Sequence, residues 1–155
     1  MWNGSFGKLL MTFLISMVPV IELRGAIPVA AAHDVPIWLA VCISVLGNLL
    51  PVPFIIIFVR KVFAWIRKRI PKLDGMVTSL ENRAAKRMDK VQKFSFWGLF
   101  ILVAIPLPGT GAWTGALVAA MLEMRLKRAF PAIALGVVAA GIIVGLASLG
   151  VIHIL

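Results

Sequence analysis

Two short stretches combine chemically capable residues with helix breakers inside apolar surroundings. The first is Pro19-Val20-Ile21-Glu22-Leu23-Arg24-Gly25 with Pro28 following; the second is Pro106-Leu107-Pro108-Gly109-Thr110-Gly111, leading into Ala112 and Trp113. An ionised side chain at the centre of a membrane-crossing helix costs about 3 kcal/mol on insertion scales, so Glu22 and Arg24 are functional candidates wherever a bilayer surrounds them. A carboxylate can take up and release a proton, whereas a guanidinium stays charged and can hold a carboxylate or phosphate through two parallel hydrogen bonds. That division assigns proton coupling to Glu22 and anion contact to Arg24. The competing reading is structural: the two pair with each other, or satisfy backbone groups freed by the prolines. In the second stretch Gly109 and Gly111 can adopt backbone angles closed to other residues, and Thr110 or Gly111 can open a half-helix near Ala112. Its free N–H groups would favour an anionic group. Arg24, Gly109, Thr110, Gly111 and Trp113 are therefore the candidate substrate contacts. A merely kinked helix is the alternative, and Trp113 is either a lid or a core filler.

Weaker signals surround these two. Ser44 and Asn48, one helical turn apart, form a possible polar strip, a pattern that most often serves as interhelical glue. Gly141, Gly145 and Ser148 form a small-residue face suited to close packing. Cys42 stands alone among apolar neighbours, and His33 and His153 are too isolated for a metal site. The sequence holds no clustered metal ligands, no phosphate-binding Gly-Lys loop and no nucleophile triad, so neither a metal, a cofactor nor an enzymatic activity is expected.

The elements that must position these residues follow from hydropathy. Of 155 residues 61% are apolar, mean hydropathy is +1.02 and the net charge is +10. Fourteen of the sixteen Lys and Arg fall in 60–93 and 125–128, flanking apolar runs and not lining a water-facing stripe, which argues against nucleic acid. Residues 35–59 and 129–155 are long enough to span a bilayer, for which about 20 apolar residues suffice. Residues 5–33 and 94–122 are as long, but Pro and Gly break them into half-length arms, with Pro19 and Gly25 in the first tip and Pro106 and Pro108 in the second. Each predicts a re-entrant hairpin. Four simple spans would leave Arg125, Lys127 and Arg128 outside, whereas two hairpins put both basic loops in the cytoplasm, as the positive-inside rule prefers. Lys8 and Leu155 then face the periplasm. Segment 60–93 reads as a basic amphipathic linker, interrupted at Pro71 and at Asp74-Gly75, with a helix following from Met76. Trp2, Trp38, Trp65 and Trp97 sit where interfacial anchors belong. The predicted architecture is a single all-α integral membrane domain of two inverted repeats, each a hairpin plus one transmembrane helix. Polar tips at mid-depth need cover, which predicts a homodimer among membrane lipids, in a bacterial or archaeal inner membrane.

The segments PVIELRGAIPVAAA and AIPLPGTGAWTGALVAAMLEM resemble the small multi-drug export proteins, a family that in turn resembles the DedA membrane proteins. The resemblance implies a dimer of inverted repeats. Through the DedA relatives it also implies proton-coupled movement of a lipid phosphate carrier such as undecaprenyl phosphate, with Glu22 and Pro19 matching the acidic first tip and Pro108-Gly109 the second. The chain departs from the DedA pattern where an arginine would follow Pro-Gly: here Thr110, Gly111 and Ala112 stand instead. Export of lipophilic compounds, and a noncatalytic membrane scaffold, are the other two readings.

Overall fold

The computed structural model describes residues 3–154, with the backbone alone for Val77, Leu80, Glu81 and 83–94. Trp2 and Leu155 lie outside the described residues. So do the side chains on which the linker's predicted apolar stripe depends. Among the described residues every regular element is a helix: α1 Ser5–Met17, α2 Glu22–Ala32, α3 Ile37–Leu49, α4 Pro51–Arg69, α5 Pro71–Ala104, α6 Ala112–Met121 and α7 Leu126–Ile154.

Proline chemistry sets the breaks. The residue before a proline is pushed out of the helical region by the ring's Cδ. Val18, before Pro19, takes ψ 126°, and Ile105, before Pro106, takes ψ 117°, so α1 and α5 stop there. Pro28, Pro51, Pro53 and Pro131, by contrast, lie within helices. Leu50 is itself helical, so α3 and α4 run on as the apolar helix Ile37–Arg69, about 50 Å at the usual rise. That helix and α7 are long and apolar enough to cross a membrane, while α1, α6 and the end of α5 are shorter apolar helices.

The expected linker is drawn differently. α4 continues to Arg69, the turn falls at Ile70, and Pro71 occupies the first turn of α5, where its missing N–H costs nothing. Asp74 and Gly75 lie inside α5 and interrupt nothing, because one interior glycine costs a helix only about 1 kcal/mol. α5 then passes through the boundary at 93/94 and carries the arm that ends at Ala104.

α2 and α6 are the alanine-rich inner helices. Leu23 and Ile27 of α2, Val52 and Ile56 of α4, Leu99 and Val103 of α5, Ala112, Ala116 and Ala119 of α6, and Ile133 and Val137 of α7 form one core. Glycines allow the helices to approach. A Cβ at Gly136 would meet Phe100 O at 2.9 Å, and one at Gly145 would meet Val41 Cγ2 at 2.9 Å, so Gly141 and Gly145 do serve packing, against α3. Outward faces are apolar: Leu46 is 60% exposed, Phe54 68% and Leu146 64%. So many exposed large apolar residues suit acyl chains, not water.

α2 and α6 also end alike. After α2, Val35 N–H reaches Ala30 O at 3.1 Å and Asp34 N–H reaches Ala31 O at 3.1 Å; after α6, Met124 N–H reaches Ala119 O at 3.0 Å and Glu123 N–H reaches Ala120 O at 3.1 Å. Both are Schellman closures, with Val35 and Met124 buried behind them. The left-handed position belongs to glycine in most such closures, yet Asp34 (φ 62°) and Glu123 (φ 52°) hold it here. Glu123→Gly should therefore raise stability by about 0.5–1 kcal/mol, net of the added chain entropy, and should shift the thermal midpoint in detergent upward. A lowered midpoint would mean that the Glu123 carboxylate has a role of its own.

Candidate functional site

The two breaks meet. The turn at 18–21 and the turn at 105–111 lie against each other, and α2 and α6 leave from the junction. Glu22 opens α2 with φ 49°, a left-handed backbone rare for glutamate, and Val20 just before it has φ 80°. A β-branched residue in that region is strained, and such strain persists only where surrounding contacts enforce it.

For Glu22 those contacts come from the second break. Glu22 is only 4% exposed, and its Oε1 accepts the backbone N–H of Trp113 at 3.2 Å. The Ala112 N–H and the Asn48 side chain also face this carboxylate. Glu22 thus sits on the N-terminus of α6, where unpaired N–H groups and the helix dipole both stabilise a negative charge. Gly111 makes this possible. Its φ of 139° and ψ of −167° lie in a region open essentially to glycine alone, and a Cβ there would collide with the carboxylate, 2.6 Å from Cδ.

Arg24 goes elsewhere. Its Nη1 donates to Leu107 O, while Nη2 donates to Thr110 Oγ1 at 2.8 Å and to Ile105 O at 3.3 Å. The Thr110 hydroxyl in turn reaches Ile105 O at 2.7 Å and Leu107 O at 2.8 Å. The turn's own backbone also uses these carbonyls, Leu107 N–H reaching Ile105 O at 2.8 Å and Thr110 N–H reaching Leu107 O at 3.2 Å, and Arg24 adds charged donors to the same acceptors. Trp113 completes the junction, its indole N–H donating to Met17 O at 3.1 Å, so it joins the two breaks directly. Glu22 and Arg24 are near enough to feel each other's charge, yet their hydrogen bonds serve different partners.

Among the other candidates, Gly25 packs against the Ile21 side chain and Pro28 is exposed within α2. Pro19, Pro108 and Gly109 are exposed, and a Cβ at Gly109 would meet nothing within 4 Å. Ser44 and Asn48 are both buried: Ser44 Oγ has no hydrogen-bond partner, and the Asn48 amide, turned toward the Glu22 carboxylate, makes no hydrogen bond of normal geometry. Sequence reasoning missed the carbonyls of Met17, Ile105 and Leu107, which carry no side-chain signature. It also missed Thr12 and Ser16, whose hydroxyls one turn apart in an apolar helix were a visible signal.

Arg24→Ala should free the second turn. Losing these charge-assisted hydrogen bonds costs about 1.5–3 kcal/mol, and Arg24→Lys should recover only part, because one ammonium cannot span the same acceptors. Thermal unfolding in detergent reads this out; an unchanged midpoint for Arg24→Ala would mean that the turn holds itself.

A family model described as "Putative small multi-drug export protein" matches residues 22–143, from Glu22 at the start of α2 through the second break into α7. No curated protein and no solved structure gives a match.

Proposed function

Because this chain belongs to the small multi-drug export family, a family of membrane proteins whose name carries a transport role, we propose that it is a proton-coupled exporter of lipophilic compounds in which Glu22 carries the proton. One observation supports this above the rest. Glu22 is the only acidic residue among the buried side chains described, and it lies where two helix breaks meet, an arrangement that in transporters marks a site at mid-depth. Each break, in this reading, is the tip of a re-entrant hairpin, and the two halves are inverted repeats. The packing is consistent: α1 lies on α3 as the end of α5 lies on α7, and α2 leans on α7 as α6 leans on α4.

Substrate class follows from what the tips offer. Val20 is 94% exposed and Leu107 56%, so the surface beside the carboxylate is apolar, a match for lipophilic compounds, cationic ones above all. Recognition of a lipid phosphate, implied by the DedA resemblance, would need Arg24 or a free helix N-terminus. Arg24 is committed to the second turn and the N-terminus of α6 to Glu22, so an anion would have to displace one of them. A second copy of the chain covering the exposed tips would keep them from lipid. The deciding experiment is flux in liposomes under an imposed proton gradient, with a lipophilic cation and a lipid phosphate offered separately. Gradient-driven movement of the cation supports the reading; movement of the phosphate alone moves it to lipid transport, and movement of neither leaves a scaffold.

A further inference from the structure

Thr12, Ser16, Glu22, Ser44 and Asn48 are the buried polar side chains among the described residues, and they are not scattered. Thr12 and Ser16 lie one turn apart on α1; Ser44 and Asn48 lie one turn apart on α3. Leu9 packs on the cluster of Ala30, Val35 and Ala40, and seven residues later Ser16 abuts Gly47, seven beyond Ala40. α1 and α3 therefore run side by side in one direction, with their polar stripes in register. The inner end of the stripe is Asn48, which faces the Glu22 carboxylate.

Hydrogen-bond bookkeeping along this stripe does not close within the protein. Thr12 and Ser16 donate to their own helix, to Lys8 O at 2.8 Å and Phe13 O at 2.7 Å, and keep acceptor lone pairs. Ser44 Oγ is buried and unpartnered, and the buried Asn48 amide, though turned toward Glu22, makes no hydrogen bond of normal geometry. Pro51 and Pro53, having no N–H, withhold from Gly47 and Leu49 the bond that a helix carbonyl normally accepts. An unsatisfied buried polar group is costly, and several on one line point to a partner that the protein itself does not supply. Water meets this need when two to four polar groups surround it.

We propose that Ser44 and Asn48, with the hydroxyls of Thr12 and Ser16, line a water file that connects Glu22 to the membrane face bearing Lys8 and Asp34. The file is the route by which protons reach and leave Glu22, and in that respect it rests on Glu22 being the proton carrier. Each transfer passes a proton from one water to the next, and Glu22 alternates between carboxylate and carboxylic acid with nothing else consumed. Leu9, Val35, Leu39 and Ala40 close the outer end as an apolar plug, so the arrangement described is the shut one.

Cys42 provides an internal control. It lies two residues from Ser44 on the same helix but is exposed on the outside of the bundle, where lipid would cover it. Ag⁺ is small, reacts with hydrated thiolates and does not dissolve in acyl chains. In membrane vesicles, Ag⁺ added on the Lys8 side should protect Ser44→Cys and Asn48→Cys, each in a Cys42→Ser background, from maleimide labelling after denaturation. Native Cys42 should stay unprotected. This order is the reverse of surface exposure in the isolated chain. Asn48→Leu, similar in volume and apolar, should fold with an unchanged or higher thermal midpoint and lose most proton-driven flux. Engineered cysteines at 44 and 48 as unreactive as Cys42 would overturn the file. So would Asn48→Leu folding and transporting like the wild type. Protection at both positions in a protein without proton-driven flux would keep the file and remove the transport reading, so the two proposals fail separately.

Discussion

Glu22→Gln is expected to leave the fold and substrate binding in place while proton-driven flux falls to the level of empty liposomes. Gln has nearly the same size, and its amide oxygen can still accept the Trp113 N–H that Glu22 accepts at 3.2 Å, so α6 keeps its N-terminal partner. What is lost is titration: an amide cannot carry a proton across. The charge itself contributes more modestly, since an anion at a helix N-terminus is worth about 0.3–2 kcal/mol. A small drop in thermal midpoint is therefore expected, with expression maintained. Substrate binding should be measured on the same preparation, so that lost flux is not mistaken for lost protein. A cationic substrate should still bind, more weakly than it binds the wild type, and a neutral one of similar lipophilicity should bind both equally. Undiminished gradient-driven flux would remove Glu22 from the mechanism. A collapse of Glu22→Gln together with Arg24→Ala, repaired when both are replaced by apolar residues, would instead make the two a structural unit.

Gly111→Ala is the substitution expected to damage the chain most for its size. Two independent costs coincide at this position. The backbone at φ 139° and ψ −167° is closed to a residue with a Cβ, and that Cβ would occupy the space of the Glu22 carboxylate. Relief would require α6 to lose its capping anion or Glu22 to be driven out of its burial. Together the costs reach at least about 3 kcal/mol, enough to lower expression and the thermal midpoint sharply. Gly109 is the matched comparison. It also has a left-handed φ, 81°, but open space where a Cβ would go, so Gly109→Ala should cost only about 1–2 kcal/mol. Equal midpoints for the two variants would mean that Gly111 is not pressed against Glu22 in the membrane.

Residue types alone determined the membrane class, the two helices of spanning length and the places where the chain breaks. The reason is local: apolar runs lower the free energy of long helices only in lipid, and a proline constrains the residue before it wherever the chain folds, as Val18 and Ile105 demonstrate. The same locality exposed Glu22 and Arg24 as anomalies, since a charge in an apolar run is visible without coordinates. It misjudged Asp74-Gly75, because turn-forming residues only bias a backbone that the rest of a long helix can carry through. Tertiary structure alone decided who holds whom. That Arg24 reaches across more than eighty residues to the carbonyls of Ile105 and Leu107, and that Glu22 caps α6 over a glycine it would otherwise collide with, depends on bringing two distant breaks together. Carbonyl acceptors are common to every residue, so no pattern of side chains could announce them. Ser44 and Asn48 show the same division: their polarity and spacing were plain in the sequence, but only the packing of α3 buries them, leaving Ser44 Oγ without a partner and turning the Asn48 amide toward the Glu22 carboxylate.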